Sequence, residues 1–226
     1  MLAPWTKKGW AKNLKAQAMI MAIAATSRNS QTANNCFIRR ILIQLTLMGK
    51  QKIVFGLGNP GKEYAKTYHS VGRIFLDFLK KKIDQGNDWQ ASKKEGFEFV
   101  KTPGMILVKS LGFMNDSGVA AASIVKHSRI TAKDLIVVHD DSDISLGSYK
   151  FSVDRGSAGH KGVQSIIDCL KTPAFSRIRI GVRPTNQKKQ AGDFVLNQIS
   201  KRDAEILDKV FLKILTRHFE ADNKSD

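Results

Sequence analysis

From Lys52 onward the chain alternates short apolar runs with longer stretches whose apolar residues recur at helical spacing, and this alternation restricts the fold more than any other feature. Runs at 53–57, 97–101, 105–111, 135–139, 148–153 and 178–182 read as strands, several of them apolar enough to lie inside a sheet. Helical patterns fill 70–83, 117–127, 161–170 and 201–219. Strands interleaved with helices predict an α/β class: one domain over residues 50–226, a mixed, twisted sheet covered by helices. The polar stretch 84–96 reads as a loop, and no internal repeat is visible.

Residues 1–49 follow a different rule. They contain no Asp or Glu, since the first acid is Glu63, yet they hold Lys7, Lys8, Lys12, Lys15, Arg28, Arg39 and Arg40. Three readings fit such a basic, acid-free leader: an organelle transit peptide, a secretory signal with 16–25 as its apolar core, or disordered leader upstream of a mis-called start, with Met48 the natural beginning. No apolar run reaches the roughly 20 residues that span a bilayer, so no membrane partner is expected.

Charge narrows the partners. Lys plus Arg outnumber Asp plus Glu by 37 to 20, and a field of that sign favours a polyanion such as nucleic acid. The two cysteines, Cys36 and Cys169, have no ligand-like spacing and suggest neither a disulfide framework nor a zinc site.

The first strand-like run opens into Phe55-Gly56-Leu57-Gly58-Asn59-Pro60-Gly61, a turn that presents Asn59 at a strand end, with Tyr64 and His69 following. Gly56, Gly58 and Gly61 satisfy the dinucleotide spacing G-x-G-x-x-G, but Pro60 interrupts the turn and the acids at suitable distance, Asp77 and Asp84, lie on or just after a helical run rather than ending a second strand. No cofactor is expected.

Four further segments stand in register with this one: Gly112-Phe113-Met114-Asn115-Asp116-Ser117-Gly118, Val138-His139-Asp140-Asp141-Ser142-Asp143, Gly159-His160-Lys161-Gly162-Val163, and Arg177-Ile178-Arg179-Ile180-Gly181-Val182. In this order and spacing they resemble the bacterial-type peptidyl-tRNA hydrolases, from about Lys52 to about Phe219. The resemblance implies hydrolysis of the ester joining a peptide, or an N-blocked aminoacyl group, to the tRNA 3′ end. It also implies a tRNA partner, metal-independent chemistry, a monomer and a cytoplasmic location, or a mitochondrial or plastid one if the leader is a transit peptide.

That ester sets the chemical problem. Water is a poor nucleophile near pH 7, so a histidine must take its proton, and a carboxylate on the other ring nitrogen must fix the tautomer. His69 is the candidate base and Asp140, placed just past a buried strand, its partner. Asn59 is the third catalytic candidate, an uncharged donor for the developing oxyanion that also accepts from a substrate N–H. The resemblance gives Tyr64, Phe113 and Asn115 substrate-binding roles, and Arg179 and Lys161 join them as tRNA contacts. Lys150, Arg155, Arg177 and Arg183 lie in segments around the same cleft. His139 with Asp140, Asp141 and Asp143 also offers oxygen and imidazole ligands, but no metal is expected. His160 is read as lining the cleft, and His127 and His218 as helix-end or surface residues.

Two positions depart from the family pattern. His69-Ser70-Val71-Gly72 stands where His-Asn-x-Gly is common, and Lys161 replaces a substrate-binding asparagine. The second keeps open an alternative, an RNA-binding or splicing-assistance relative without hydrolysis.

Overall fold

The computed structural model describes residues 52–83, 86–102, 104–184 and 194–219. The leader assigned to 1–49 lies outside the described residues. Among those described, seven strands form one sheet: β1 (Lys52–Gly56), β2 (Gln90–Ser92), β3 (Phe97–Thr102), β4 (Met105–Ser110), β5 (Leu135–Ser145), β6 (Tyr149–Val153) and β7 (Ser176–Arg183), in the order β2-β3-β4-β1-β5-β7-β6. The centre β4-β1-β5-β7 is parallel, and β2, β3 and β6 are antiparallel additions at the flanks, so the sheet is mixed.

The strand period of two sorts the core onto two faces. Val54, Leu107, Ile178 and Ile180 face one side, where α1 (Val71–Ile83) contributes Phe75, Leu76 and Leu79 and α4 (Lys201–Ile214) contributes Leu207, Val210 and Phe211. Ile53, Phe55, Ile106, Val108 and Val137 face the other, under Ala120, Ala121 and Ile124 of α2 (Ser117–Ser128) and Val163 and Ile166 of α3 (Lys161–Leu170). Strands buried on both faces read as continuous apolar runs, which is why 53–57 and 135–139 carry no polar alternation.

Three expectations need correction. The stretch 84–96 is not loop throughout: β2 and a 3-10 turn at Lys93–Glu95 lie within it, β2 being too short and polar to signal a strand by pattern. β5 runs six residues beyond the expected 139, through Asp140 and Asp141, with an irregularity in its pairing to β7 between Asp141 and Ser145. Its polar C-terminal half is strand because β7 supplies backbone partners there, whatever the side chains prefer. The last helix converts to a π turn at Leu215–Phe219, and His218 is half-buried there, its ring stacked on Phe151 at 5.0 Å. It stands at the helix end, as expected, and packs there instead of lying on the surface.

Candidate active site

The site forms where β1, β5 and the turns after β1 and β4 meet. Leu57 N–H donates to Val138 O (2.9 Å) and Arg73 N–H to Leu57 O (3.1 Å), which draws the start of α1 onto the strand ends. That approach requires Gly72, since a Cβ there would lie 2.3 Å from Val138 O. The 3-10 turn Tyr68–Ser70 precedes α1, so His69 is delivered beside the C-terminal half of β5. Gly61 lies outside any helix, ten residues before α1, so the glycine turn offers no helix N-terminus to a pyrophosphate.

His69 Nδ1 is 3.0 Å from both Oδ1 and Oδ2 of Asp140. The carboxylate is buried inside β5 and only accepts, so Nδ1 carries the proton and Nε2 keeps its lone pair. His160, the N-cap of α3, approaches the same carboxylate with Nε2 3.0 Å from Oδ1, while its Nδ1 accepts from Val163 N–H at 3.3 Å. Burial alone would push the Asp140 carboxyl up. The His160 interaction and the hydrogen bonds from both imidazoles outweigh burial and hold it well below the usual carboxylate range. Asp140 is therefore ionised and serves two histidines.

A third imidazole packs behind them. The His139 ring is 4.7 Å from that of His160, and its Nδ1 lies 2.6 Å from Asp140 O, while its buried Nε2 has no hydrogen-bond partner. Burial, then the neighbouring His160, holds His139 well below the ordinary histidine value, so it stays neutral.

His69, Asp140 and His160 place three donor atoms within 4.8 Å of one another, the spacing of a metal cluster. The chemistry of the donors points elsewhere. The Val163 N–H occupies the Nδ1 lone pair of His160, which leaves the ring proton on Nε2, the atom a metal would need. The cluster is built for hydrogen bonding.

Asn59 Oδ1 accepts from Met114 N–H at 2.8 Å. That bond ties the Asn59 amide to the 3-10 turn Met114–Asp116 and uses one of the two lone pairs of its oxygen. The same bond brings the exposed Asn115 next to the Asn59 turn. Tyr64 and Phe113 meet edge to face, centroids 6.3 Å apart, and Phe113 is 56% exposed at the rim.

Arg179 is anchored at one edge: its Nε donates to Asp141 Oδ2 at 2.7 Å. Pairing in register on β6 and β7 puts Lys150 opposite Arg179 and Ser152 opposite Arg177. With Arg155 they line a cleft of about 480 Å³. Arg177 is only 2% exposed and its Nε lacks a hydrogen-bond partner; burial, then Arg179, pushes the pKa of its guanidinium below the ordinary arginine value. Lys161 is exposed as the first residue of α3, beside His160, and Arg183 donates to Asp143 O. His160 as a partner of Asp140 is the residue that sequence reasoning underrates; a histidine after a glycine and directly before a helical pattern was the available signal.

Comparison with known proteins fits this geometry. The family model described as peptidyl-tRNA hydrolase matches residues 53–221. The peptidyl-tRNA hydrolase of Mycoplasma mycoides is 38% identical over 167 residues, covering 71% of this chain and 87% of that one. That of Thermotoga petrophila is 40% identical over 161 residues, covering 70% and 84%. A crystal structure of peptidyl-tRNA hydrolase from Acinetobacter baumannii superposes with a TM-score of 0.64 at 26% identity, covering 74% of this chain and 89% of that one.

Proposed function

We propose that in this chain, which belongs to the peptidyl-tRNA hydrolase family and hydrolyses the ester between a peptide and the tRNA 3′ end, His69 is the general base, Asp140 its partner and Asn59 the oxyanion donor. The observation that carries these roles is His69 Nδ1 on ionised Asp140, which leaves Nε2 to receive a proton. Water loses its proton to Nε2 and its oxygen bonds to the ester carbon. The carbonyl oxygen takes the charge, met by Asn59 Nδ2–H. The C–O bond to the ribose then breaks, and the imidazolium returns its proton to the leaving oxygen, giving a peptide acid and a free tRNA hydroxyl.

Asn115 binds the substrate near the ester, and the Tyr64 and Phe113 rings pack on the peptide or the terminal base. The cleft of Lys150, Arg155, Arg177 and Arg179 holds tRNA phosphates: Arg177, buried among like charges, is favoured by an anion. Asp141 holds one edge of the Arg179 guanidinium, leaving its two terminal nitrogens for a phosphate. Lys161, in place of an amide, adds a flexible charge at the hydrated rim. The enzyme works as a single chain in the cytoplasm, or in an organelle if the leader directs import. A non-catalytic RNA-binding relative is not favoured, because a scaffold has no use for a buried carboxylate serving two histidines.

The test is direct. Purified protein with N-acetylaminoacyl-tRNA releases the acyl group at an undiminished rate in excess chelator; loss of activity with chelator, restored by a divalent metal, would overturn the metal-free reading.

A further inference from the structure

The backbone around His69 is held by the segment leading into α4. His69 N–H donates to Val195 O at 2.7 Å, Tyr68 N–H to Asn197 O at 3.3 Å, and Ile199 N–H to Lys66 O at 2.8 Å. Thr67 and Gln198 form an isolated antiparallel bridge, and the Gln198 amide donates to Glu63 O at 2.8 Å. The residue preceding His69 in the same 3-10 turn adds a side-chain anchor. Tyr68 is buried edge-on against Phe194, and its hydroxyl donates to Asp203 Oδ2 at 2.5 Å.

Asp203 is itself fixed. It is the third residue of α4, and its N–H donates to the Oγ of the N-cap Ser200 at 3.1 Å. A carboxylate in the first turn is also favoured by the helix dipole. Burial first, and then the bond to Asp203, pushes the Tyr68 hydroxyl up to about 12, so it remains a donor throughout the pH range of translation. Asp203 Oδ2 is thus an acceptor whose place is set by a capped helix, gripping the turn that carries His69.

We propose that the Tyr68–Asp203 hydrogen bond is a tether that sets the reach of His69 toward Asp140, which makes Tyr68 and Asp203 positioning residues for hydrolysis. The proposal rests on His69 being the base. A 3-10 turn of three residues is tight, so two successive side chains leave it in fixed relative directions. Releasing one lets the turn rotate and carries the other with it. Misplacing a catalytic group by about 1 Å costs about 10²-fold, and a partial loss of one anchor among several should cost less.

The experiment compares Tyr68→Phe, Asp203→Asn, Asp203→Ala and Tyr68→Phe/Asp203→Ala in the full chain, with N-acetylaminoacyl-tRNA as substrate. Tyr68→Phe and Asp203→Ala should each lower kcat by about tenfold with KM within twofold. Asp203→Asn, which keeps an acceptor, should fall between them and wild type, and the double variant should be no slower than either single. Wild-type kcat in folded Tyr68→Phe would overturn the tether, even if melting temperature fell, and so would a loss confined to KM. Should Tyr68→Phe fail to fold, Asp203→Asn decides by the same criteria. His69→Ala in parallel separates the two ideas: if it keeps its turnover, the base assignment fails and the tether with it, whereas an inactive His69→Ala beside a fully active Tyr68→Phe removes the tether alone.

Discussion

Replacing Asp140 by Asn changes one atom's chemistry at the point where two histidines converge. The carboxylate accepts from His69 Nδ1 at both oxygens and from His160 Nε2 at Oδ1, each at 3.0 Å. An amide can accept on one side only and must donate on the other. His160 cannot adjust, because its Nδ1 is committed to Val163 N–H and its proton stays on Nε2. The amide oxygen therefore turns to His160, and the amide N–H faces His69 Nδ1. That sets an N–H against the protonated Nδ1 and drives the His69 proton toward Nε2, the atom that must accept from water. The loss should be that of a misplaced tautomer, about 10²- to 10⁴-fold in kcat, or about 3–5 kcal/mol of transition-state stabilisation. Release of acyl group from N-acetylaminoacyl-tRNA at saturating substrate measures it. The geometry also predicts partial rescue: Asp140→Asn/His160→Asn should be faster than Asp140→Asn, because Asn still caps α3 but is too short to claim the amide oxygen. A double variant no faster than the single, or Asp140→Asn at wild-type kcat, would refute this reasoning.

Further predictions follow from the same neighbourhood. His139 is held neutral well below its ordinary value, so as pH falls through about 6.5 the unfolded chain takes that proton first. Its contribution to stability is complete above that pH and is lost as pH drops below it, so urea unfolding at pH 7 and pH 5 should show a smaller acid loss in His139→Gln than in wild type; an equal loss would count against it. Gly72→Ala would put a methyl 2.3 Å from Val138 O and should destabilise by about 1–3 kcal/mol, visible as a lower melting temperature. Arg177→Met should weaken binding of all tRNAs alike and flatten the dependence of affinity on salt, whereas an unchanged salt slope would remove the cleft from the tRNA interface.

How much of this is legible in the sequence depends on the range of the contacts involved. The central strands are plain, because β1 and the first half of β5 are apolar on both faces and leave no alternative to a covered sheet. The second half of β5 is hidden: Asp140 and Asp141 lie past the apolar run that signals the strand, and pairing with β7 extends it through them. His69 and Asp140 are individually visible as a histidine after a tight turn and a carboxylate beside an apolar run. Their 3.0 Å contact depends on Gly72 packing against Val138 O, which no local pattern encodes. The amide of Asn59 is visible as chemistry, but its orientation is set by Met114 N–H, 55 residues away. His160 reaches Asp140 only because the loop after β6 returns the chain to β5 as the N-cap of α3. Arg179 shows as a basic residue, and its bond to Asp141 is a register effect of β5 against β7.

The central claim is that His69, oriented by Asp140, takes the proton from water. Single-turnover hydrolysis of N-acetylaminoacyl-tRNA by folded His69→Ala, with tRNA affinity measured separately, tests it most directly. The account predicts a rate lower by about 10²- to 10⁴-fold with affinity within a few-fold of wild type. A rate near wild type at unchanged affinity would contradict it.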